Sequence, residues 1–194
     1  MKIKMKRLHI EKKAIRALGI AESFNKSEKR SVLGGVVMRS DMIIDGIAYA
    51  NATVKGDDAT DAIIDMYENL DRTDINFVMI GGLVISMYNI IDPKRLWERL
   101  EIPIIGVTFE ESEGLDSHIK RVFPDTWKSK LEAYHKLGDR EKVKLKTGHD
   151  VYVRAEGINT KSSKQALNKF VLQGSIPEPI RVARLIARAK LDAR

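Results

Sequence analysis

Residues 75–92, INFVMIGGLVISMYNIID, decide the fold of this 194-residue chain. The first six residues, apolar except for Asn76, form a run of strand length, which is typical of a strand buried on both faces of a sheet. Gly81 and Gly82 interrupt the run, and Asp92 precedes Pro93 at its end. Because Asp is a favoured N-cap and Pro suits the first helical position, a helix is predicted to begin there. The stretch therefore predicts a central sheet strand, followed by a turn and a helix.

Neighbouring segments complete the predicted sheet. Residues 102–109, IPIIGVTF, have the same buried-strand character, and residues 59–70 place apolar side chains at helical spacing. Three more apolar runs precede that helix, at 14–21, 32–38 and 42–54. A right-handed crossover through the helix must pass this three-stranded meander before the fourth strand pairs with the first. We therefore predict an α/β fold with a mixed five-stranded sheet in the order 3-2-1-4-5, its last three strands parallel, and helices on both faces.

The rest of the chain predicts more helices and one late hairpin. Apolar side chains recur at helical spacing from Ile119 to Tyr134, and KVKLK and VYVRA alternate on either side of residues 147–150. Two C-terminal helices are predicted, one around Leu167 and one after Pro179. Since no linker or internal repeat divides the chain, we expect one domain spanning residues 1–194.

Composition excludes several classes of protein. Hydrophobic residues make up 43% of the chain, which is inconsistent with intrinsic disorder. The absence of Cys excludes disulfide frameworks, zinc–thiolate sites and thiol nucleophiles. No segment has the apolar length of a membrane span, and the basic N-terminus lacks the apolar run of a secretory signal. We therefore expect a cytoplasmic protein with no membrane association.

The net charge of +7 is unevenly distributed. Residues 1–30 carry 10 Lys/Arg and 3 Asp/Glu, residues 31–119 carry 6 and 16, and residues 120–194 carry 18 and 8. An acidic centre between basic ends suits an enzyme that gathers carboxylates around a divalent cation and holds a polyanion at its periphery. Solvated helix surfaces are the alternative explanation.

Several segments together resemble a known family. They are RALGIAESF at 16–24, GDDAT at 56–60, the stretch at 75–92, IPIIGVTFE at 102–110 and the C-terminal PEPIRVARLIARA. In these segments and in its element order, the chain resembles an archaeal family of unknown function that is similar to endonuclease V. The resemblance implies a ribonuclease H-like fold, nucleic acid as the partner, and Mg²⁺ or Mn²⁺ as the cofactor.

Endonuclease V is a metal-dependent nuclease with Asp at the end of the first strand, Glu further on, and Asp at the end of the fourth strand. This sequence has Ala21 followed by Glu22 at the first position and Gly81 followed by Gly82 at the last. Two of the three expected carboxylates are therefore absent. We expect nuclease activity to be degenerate or lost.

The remaining carboxylates are candidates for a rearranged catalytic set. Glu22 closes the first strand and is the candidate metal ligand, Glu110 closes the fifth strand at the same edge, and Asp57 and Asp58 could join them. Two-metal cleavage needs carboxylates that hold both ions about 4 Å apart. The alternatives are helix capping for Asp57 and Asp58, and a solvated acidic loop at residues 110–113.

Glycines and basic side chains are the candidate phosphate contacts. Gly81 and Gly82 would let backbone N–H groups approach a phosphate, and tight packing is the alternative. Two basic sets each point one way and are candidates for nucleic-acid binding: Lys142, Lys144 and Lys146 on one strand, and Arg181, Arg184 and Arg188 on one helix. Solvated surface is the alternative for both sets.

Three function hypotheses follow. The first is a nucleic-acid-binding protein whose nuclease activity is degenerate or absent. The second is an active Mg²⁺- or Mn²⁺-dependent nuclease that uses Glu22, Glu110 and either Asp57 or Asp58. The third is a non-catalytic protein-interaction module.

Overall fold

A computed structural model describes residues 10–12 and 14–193. The described strands are β1 (Arg16–Ser23), β2 (Arg30–Arg39), β3 (Ile44–Thr53), β4 (Phe77–Gly81), β5 (Val84–Ile85), β6 (Asn89–Ile90), β7 (Ile104–Thr108), β8 (Glu141–Lys144) and β9 (Asp150–Glu156). The described helices are α1 (Ala59–Asn69), α2 (Pro93–Leu100), α3 (Asp116–Val122), α4 (Trp127–Lys136), α5 (Thr160–Phe170) and α6 (Glu178–Asp192). Within this part of the chain, no helix has the length and apolar character that crossing a membrane requires.

The main sheet has the strand order β3-β2-β1-β4-β7-β9-β8. Strand β4 pairs in parallel with both β1 and β7, while β2 is antiparallel to β1 and to β3. This arrangement confirms the predicted order and places the 75–80 run at the centre of the sheet. The sheet has seven strands where five were predicted, because the late hairpin β8–β9 pairs with β7 and extends the same sheet.

Apolar residues cover both faces of the sheet. On one face, Ile63 of α1 and Leu96 of α2 pack against Val78 and Ile80 of β4. On the other face, α5 and α6 pack against alternate residues of the same strands. The packing residues include Leu167 and Phe170 of α5 and Ile180 and Ala183 of α6. The two-sided burial of β4 explains its unbroken apolar sequence.

Local sequence signals set several boundaries. Asp92 caps α2 as predicted, because its Oδ1 accepts a hydrogen bond from the Arg95 N–H at 3.0 Å. Helix α6 approaches β1 closely at Gly19, where a Cβ would lie 2.4 Å from Pro179. Only a glycine permits this contact, which brings the α6 N-terminus over the centre of the sheet.

Candidate functional site

A cleft lies where the parallel strands end. The carboxyl ends of β1, β4 and β7 meet at one edge of the sheet, which is where open α/β sheets place their ligands. The cleft has a volume of about 450 Å³, and its lining includes Gly81, Gly82, Thr108, Glu110 and Arg184. The structure therefore brings the end of β4, the end of β7 and one of the predicted arginines to a common cavity.

Glu22 lies at the end of β1 on the same edge and is held by Ser86. The Ser86 N–H donates to Glu22 Oε1 at 2.8 Å, and the Ser86 hydroxyl is 2.5 Å from Glu22 Oε2. Burial raises the pKa of Glu22, and the bonds from Ser86 and the charge of Arg184 offset part of that rise. Glu22 is therefore a partly buried carboxyl whose ionisation is disfavoured and whose position is fixed.

The turn that carries Ser86 is strained. Ser86, Met87 and Tyr88, which connect β5 to β6, have φ values of 45°, 55° and 73°. Each non-glycine residue in this left-handed region costs about 1–2 kcal/mol, and such strain concentrates at functional sites. The turn is held by Glu22 at one end and by Lys130 at the other.

Lys130 of α4 is a buried cation with only 4% of its surface exposed. Its Nζ donates to the carbonyl oxygens of Gly56 and Tyr88, at 2.5 and 3.1 Å, and to Asp57 Oδ1 at 2.5 Å. These bonds tie α4 both to the loop before α1 and to the strained turn. Lys130 is thus a positioning residue for the segment that holds Glu22.

The two positions at which the resemblance to endonuclease V implies aspartates, Ala21 and Gly81, are adjacent here and carry no polar side chain. Ala21 is 3% exposed, and a Cβ on Gly81 would lie 3.8 Å from the Ala21 Cβ. The same Cβ would lie 2.9 Å from Ile180 Cγ2 of α6. A carboxylate at residue 81 would therefore meet an apolar helix, and tight packing accounts for this glycine.

Gly82 has a φ of +95°, a conformation that favours glycine. Its N–H donates to the Val107 and Ile80 carbonyl oxygens at 2.9 and 3.0 Å, so this group is occupied within the sheet. The contribution of Gly82 to the cleft is the absence of a side chain, which leaves room for a ligand.

Asp58 accepts hydrogen bonds from three donors in one internal cluster. Its carboxylate accepts bonds from the Thr53 N–H and hydroxyl at 2.8 and 2.7 Å and from Asn89 Nδ2 at 2.8 Å. It occupies the N-cap position of α1 without making a side-chain cap bond; Asn89 Oδ1 instead accepts from the Ala59 N–H at 3.1 Å. Asp57 has an exposed side chain and pairs with Lys130.

Replacing Asp58 with Ala should destabilise the fold by about 2–3 kcal/mol, because the partly buried donors of Thr53 and the buried amide of Asn89 would lose this acceptor. Burial opposes ionisation of Asp58, but the hydrogen bonds outweigh it and lower its pKa. The stabilisation from ionised Asp58 is therefore present above the ordinary carboxyl pKa and is lost as pH falls through the lowered value. Urea denaturation from neutral to acid pH should show the difference between the two proteins shrinking in acid.

The control for this measurement is Asp65→Ala, because Asp65 is an exposed residue of the same helix. We expect it to change the free energy of unfolding by no more than about 0.5 kcal/mol. An Asp58→Ala protein as stable as this control would contradict the proposed role of the cluster.

Glu110 reaches the cleft at the end of β7, as predicted, and begins an exposed acidic loop. Arg140 braces this loop by donating to the Glu110 and Ser112 carbonyl oxygens at 3.4 and 2.8 Å. Arg140 therefore fixes the backbone of this loop, and the side chains of Glu110, Glu111 and Glu113 are exposed to solvent.

The two predicted basic sets differ in their surroundings. Arg181 pairs with the buried Glu178 at 2.5 Å, and Arg188 pairs with Asp192 at 2.9 Å. Arg184 lines the cleft, and within the described residues no carboxylate forms a salt bridge with it. In the strand set, exposed Lys142 pairs with Asp150 at 3.1 Å, and Lys144 and Lys146 are also exposed.

The carboxylates do not fit the metal centre that the resemblance implies. Among residues 10–12 and 14–193, no three His, Asp or Glu side chains are grouped so that they could hold a metal ion. Glu22 and Glu110 share the sheet edge, whereas Asp58 is committed to Thr53 and Asn89. The described carboxylates at this edge therefore offer no two-metal centre.

Comparison with known proteins identifies the family. A protein-family model described as endonuclease dU matches residues 13–191. The chain belongs to the endonuclease dU family. A UPF0215 protein of Pyrobaculum calidifontis is 39% identical over 171 residues, covering 88% of this chain and 93% of that protein. A UPF0215 protein of Methanothermobacter thermautotrophicus is 30% identical over 181 residues, covering 91% of this chain and 87% of that protein. The predicted resemblance to an archaeal family is confirmed.

Solved structures confirm the fold of this endonuclease dU family member. A protein of unknown function from Archaeoglobus fulgidus gives a TM-score of 0.79 at 21% identity, covering 91% of this chain and 98% of that one. Endonuclease V of Ciona intestinalis, in complex with a 24-mer DNA containing an inosine, gives 0.60 at 14% identity, covering 93% and 87%. The fold is therefore ribonuclease H-like and similar to that of endonuclease V, as predicted.

Ser31, Ser86 and Lys130 were not predicted as part of the site. The Ser86 hydroxyl lies 2.7 Å from Ser31 Oγ as well as 2.5 Å from Glu22 Oε2, so Ser31, Ser86 and Glu22 form one polar cluster. No sequence pattern marks them, because three non-glycine residues with positive φ have no compositional signature. The sequence offers one signal of this cluster. Lys130 directly precedes Leu131, one of the apolar residues at helical spacing, and both side chains are buried in α4.

Proposed function

We propose that this protein binds nucleic acid, with the phosphate backbone placed at the cleft beside Arg184. The observation that carries the proposal is the position of Arg184. It is an exposed cation that lines the cavity at the carboxyl edge of the parallel strands, and no described carboxylate forms a salt bridge with it. An arginine in this state can give two parallel hydrogen bonds to a phosphate without first losing an internal partner.

The shape of the cleft and the charge around it support this proposal. Gly82 leaves room for a ligand, and Arg181 and Arg188 are exposed on the same helix as Arg184. The structurally similar endonuclease V of Ciona intestinalis was solved in complex with DNA. Phosphate contacts of this kind position a duplex but do not read its sequence, so sequence preference should be slight.

An amide NMR titration with a short deoxyuridine-containing duplex tests where nucleic acid binds. We expect the largest shifts at Gly82, Thr108 and Ser175, which line the cleft. The amides of Val143 and Val151 report on the other basic set, because they lie in the β8–β9 hairpin. Shifts confined to the hairpin would contradict binding at the cleft and would favour Lys142, Lys144 and Lys146 as the contact surface.

The second candidate function is cleavage of DNA at deoxyuridine. Two observations favour it: the family is described as endonuclease dU, and Glu22 is a fixed carboxyl with raised pKa at the proposed binding edge. A carboxyl of that kind is suited to proton transfer. Turnover of a deoxyuridine substrate that disappears in Glu22→Gln but persists in Glu111→Gln would favour this function over binding alone.

A further inference from the structure

Trp127, the first residue of α4, has a partly exposed indole ring with two lysines close to it. Lys120 Nζ of α3 lies 5.2 Å from the ring centre, and Lys128 Nζ lies 5.7 Å from it. Both lysines are exposed, and in the part of the chain that the structure describes no carboxylate forms a salt bridge with either. The ring therefore gathers two cations that remain available to an external anion.

An open cavity of about 600 Å³ lies beside the ring along one side of α4. Its least exposed lining residues are Trp127 and Leu131, and Lys128, Glu132 and Lys136 are exposed around them. Lys136 pairs with Glu132 at 2.8 Å, whereas Lys128 lies against the ring. The cavity thus combines an apolar surface with a neighbouring cation.

Helices α3 and α4 pack against the turn that holds Glu22. The Phe123 and Tyr88 rings meet edge to face with their centres 6.0 Å apart. Lys130, one helical turn after Trp127, donates to the Tyr88 carbonyl oxygen at 3.1 Å. Trp127 is therefore tied to the same edge of the sheet as the cleft, where β1 and β4 end.

We propose that Trp127, Lys120 and Lys128 bind an unpaired segment of nucleic acid, with one base stacked on the indole ring. This inference rests on the proposed function, because the same strand would continue from the cleft across the sheet edge to α4. On binding, the ammonium groups move from the ring to the phosphates that flank the stacked base. An exposed cation–π contact is weaker than base–aromatic stacking, so the exchange favours the complex.

The combination of ring and cations favours unpaired nucleic acid as the ligand. Proteins that bind single strands use aromatic side chains for the bases and basic side chains for the backbone. A paired base lies between its neighbours in the duplex, so its face cannot reach a protein ring unless the base is unpaired. Since every base has a π-face, we expect little dependence on sequence at this site.

The chain has two tryptophans, which allows a local test of stacking. In Trp97→Phe, Trp127 is the sole fluorophore of this type, and a duplex with a single-stranded overhang of about ten nucleotides should quench it. Trp127→Phe retains only Trp97 of α2 and is the matched control, which should show no quenching. An overhang of abasic nucleotides keeps the phosphates but lacks the bases, so it should bind without quenching Trp127.

Fluorescence anisotropy of the labelled overhang duplex measures the contribution to affinity. We expect Trp127→Ala to weaken binding about 10-fold. Replacing the exposed Lys120 and Lys128 together with Ala leaves the ring in place, and should flatten the slope of log K against log salt by about 0.7 for each lost contact. Replacing Lys161 and Lys164 together with Ala is the control, because both are exposed on α5.

Failure at Trp127 and failure at the cleft give different results. Binding that leaves Trp127 unquenched, or equal quenching by the abasic overhang, would overturn the stacking site and leave the cleft intact. Quenching by polyglutamate as strong as that by DNA would also overturn it, and would indicate an acidic protein as the partner. Quenched binding that Arg184→Ala does not weaken would support the stacking site and contradict the cleft, and no anisotropy change with any DNA would overturn both.

Discussion

Deoxyinosine-containing DNA and inosine-containing RNA should be cleaved very slowly or not at all by this protein, even with Mn²⁺. Ala21 and Gly81 lie next to each other where the resemblance to endonuclease V implies aspartates, and Ile180 packs against that point. Ions without fixed ligands cannot hold the attacking and leaving oxygens in place. Because loss of an outer-shell partner alone costs about 10- to 100-fold, we expect activity more than about 100-fold below that of an intact two-metal site.

Single-turnover assays with labelled deoxyinosine and inosine substrates measure this directly. Fast cleavage that vanishes in Glu22→Gln would contradict the prediction and would make Glu22 a ligand in a rearranged set. The matched control is Glu113→Gln, an exposed residue of the acidic loop. A deoxyuridine substrate belongs in the same assay, because it separates the second candidate function from loss of all cleavage.

Replacing Arg181, Arg184 and Arg188 together with Ala should weaken binding to all sequences alike. It should also flatten the slope of log K against log salt by up to about 3, or about one unit for each lost phosphate contact. Arg184 should contribute most, because Arg181 and Arg188 already pair with Glu178 and Asp192. Fluorescence anisotropy at several salt concentrations gives both quantities.

The single variants provide the control. Arg184→Ala and Arg188→Ala remove the same charge from the same helix, but only Arg184 lines the cleft. Equal losses from the two would indicate a diffuse electrostatic surface. A loss from Arg188→Ala alone would contradict the proposed position of the phosphate backbone.

The arrangement of the sheet could be predicted because its signals are local and repeated. The run predicted at residues 75–80 contains most of β4, which begins at Phe77, and α2 begins at Pro93 as the Asp92–Pro93 pair predicts. The pairing of the β8–β9 hairpin with β7 was not predicted, because strand pairing over long separations depends on packing that periodicity does not encode.

The candidate site was harder to predict, since it depends on which side chains already have partners. Glu22 and Glu110 were predicted to lie at one edge of the sheet, and the structure places them there. Helix capping was the alternative for Asp58, but Asn89, thirty residues from Ala59, accepts the Ala59 N–H instead. Likewise, three arginines share one side of α6, and only their neighbours show which of them lacks an ionic partner.

The salt dependence of nucleic-acid binding by the unmodified protein tests the central claim most directly. We predict that log K for a deoxyuridine-containing duplex falls linearly with log salt, because each neutralised phosphate releases about 0.9 counterion. The slope then counts the phosphate contacts that the cleft and α6 provide. A slope near zero, or no binding at an ionic strength as low as about 50 mM, would contradict the account and leave a protein-interaction module as the function.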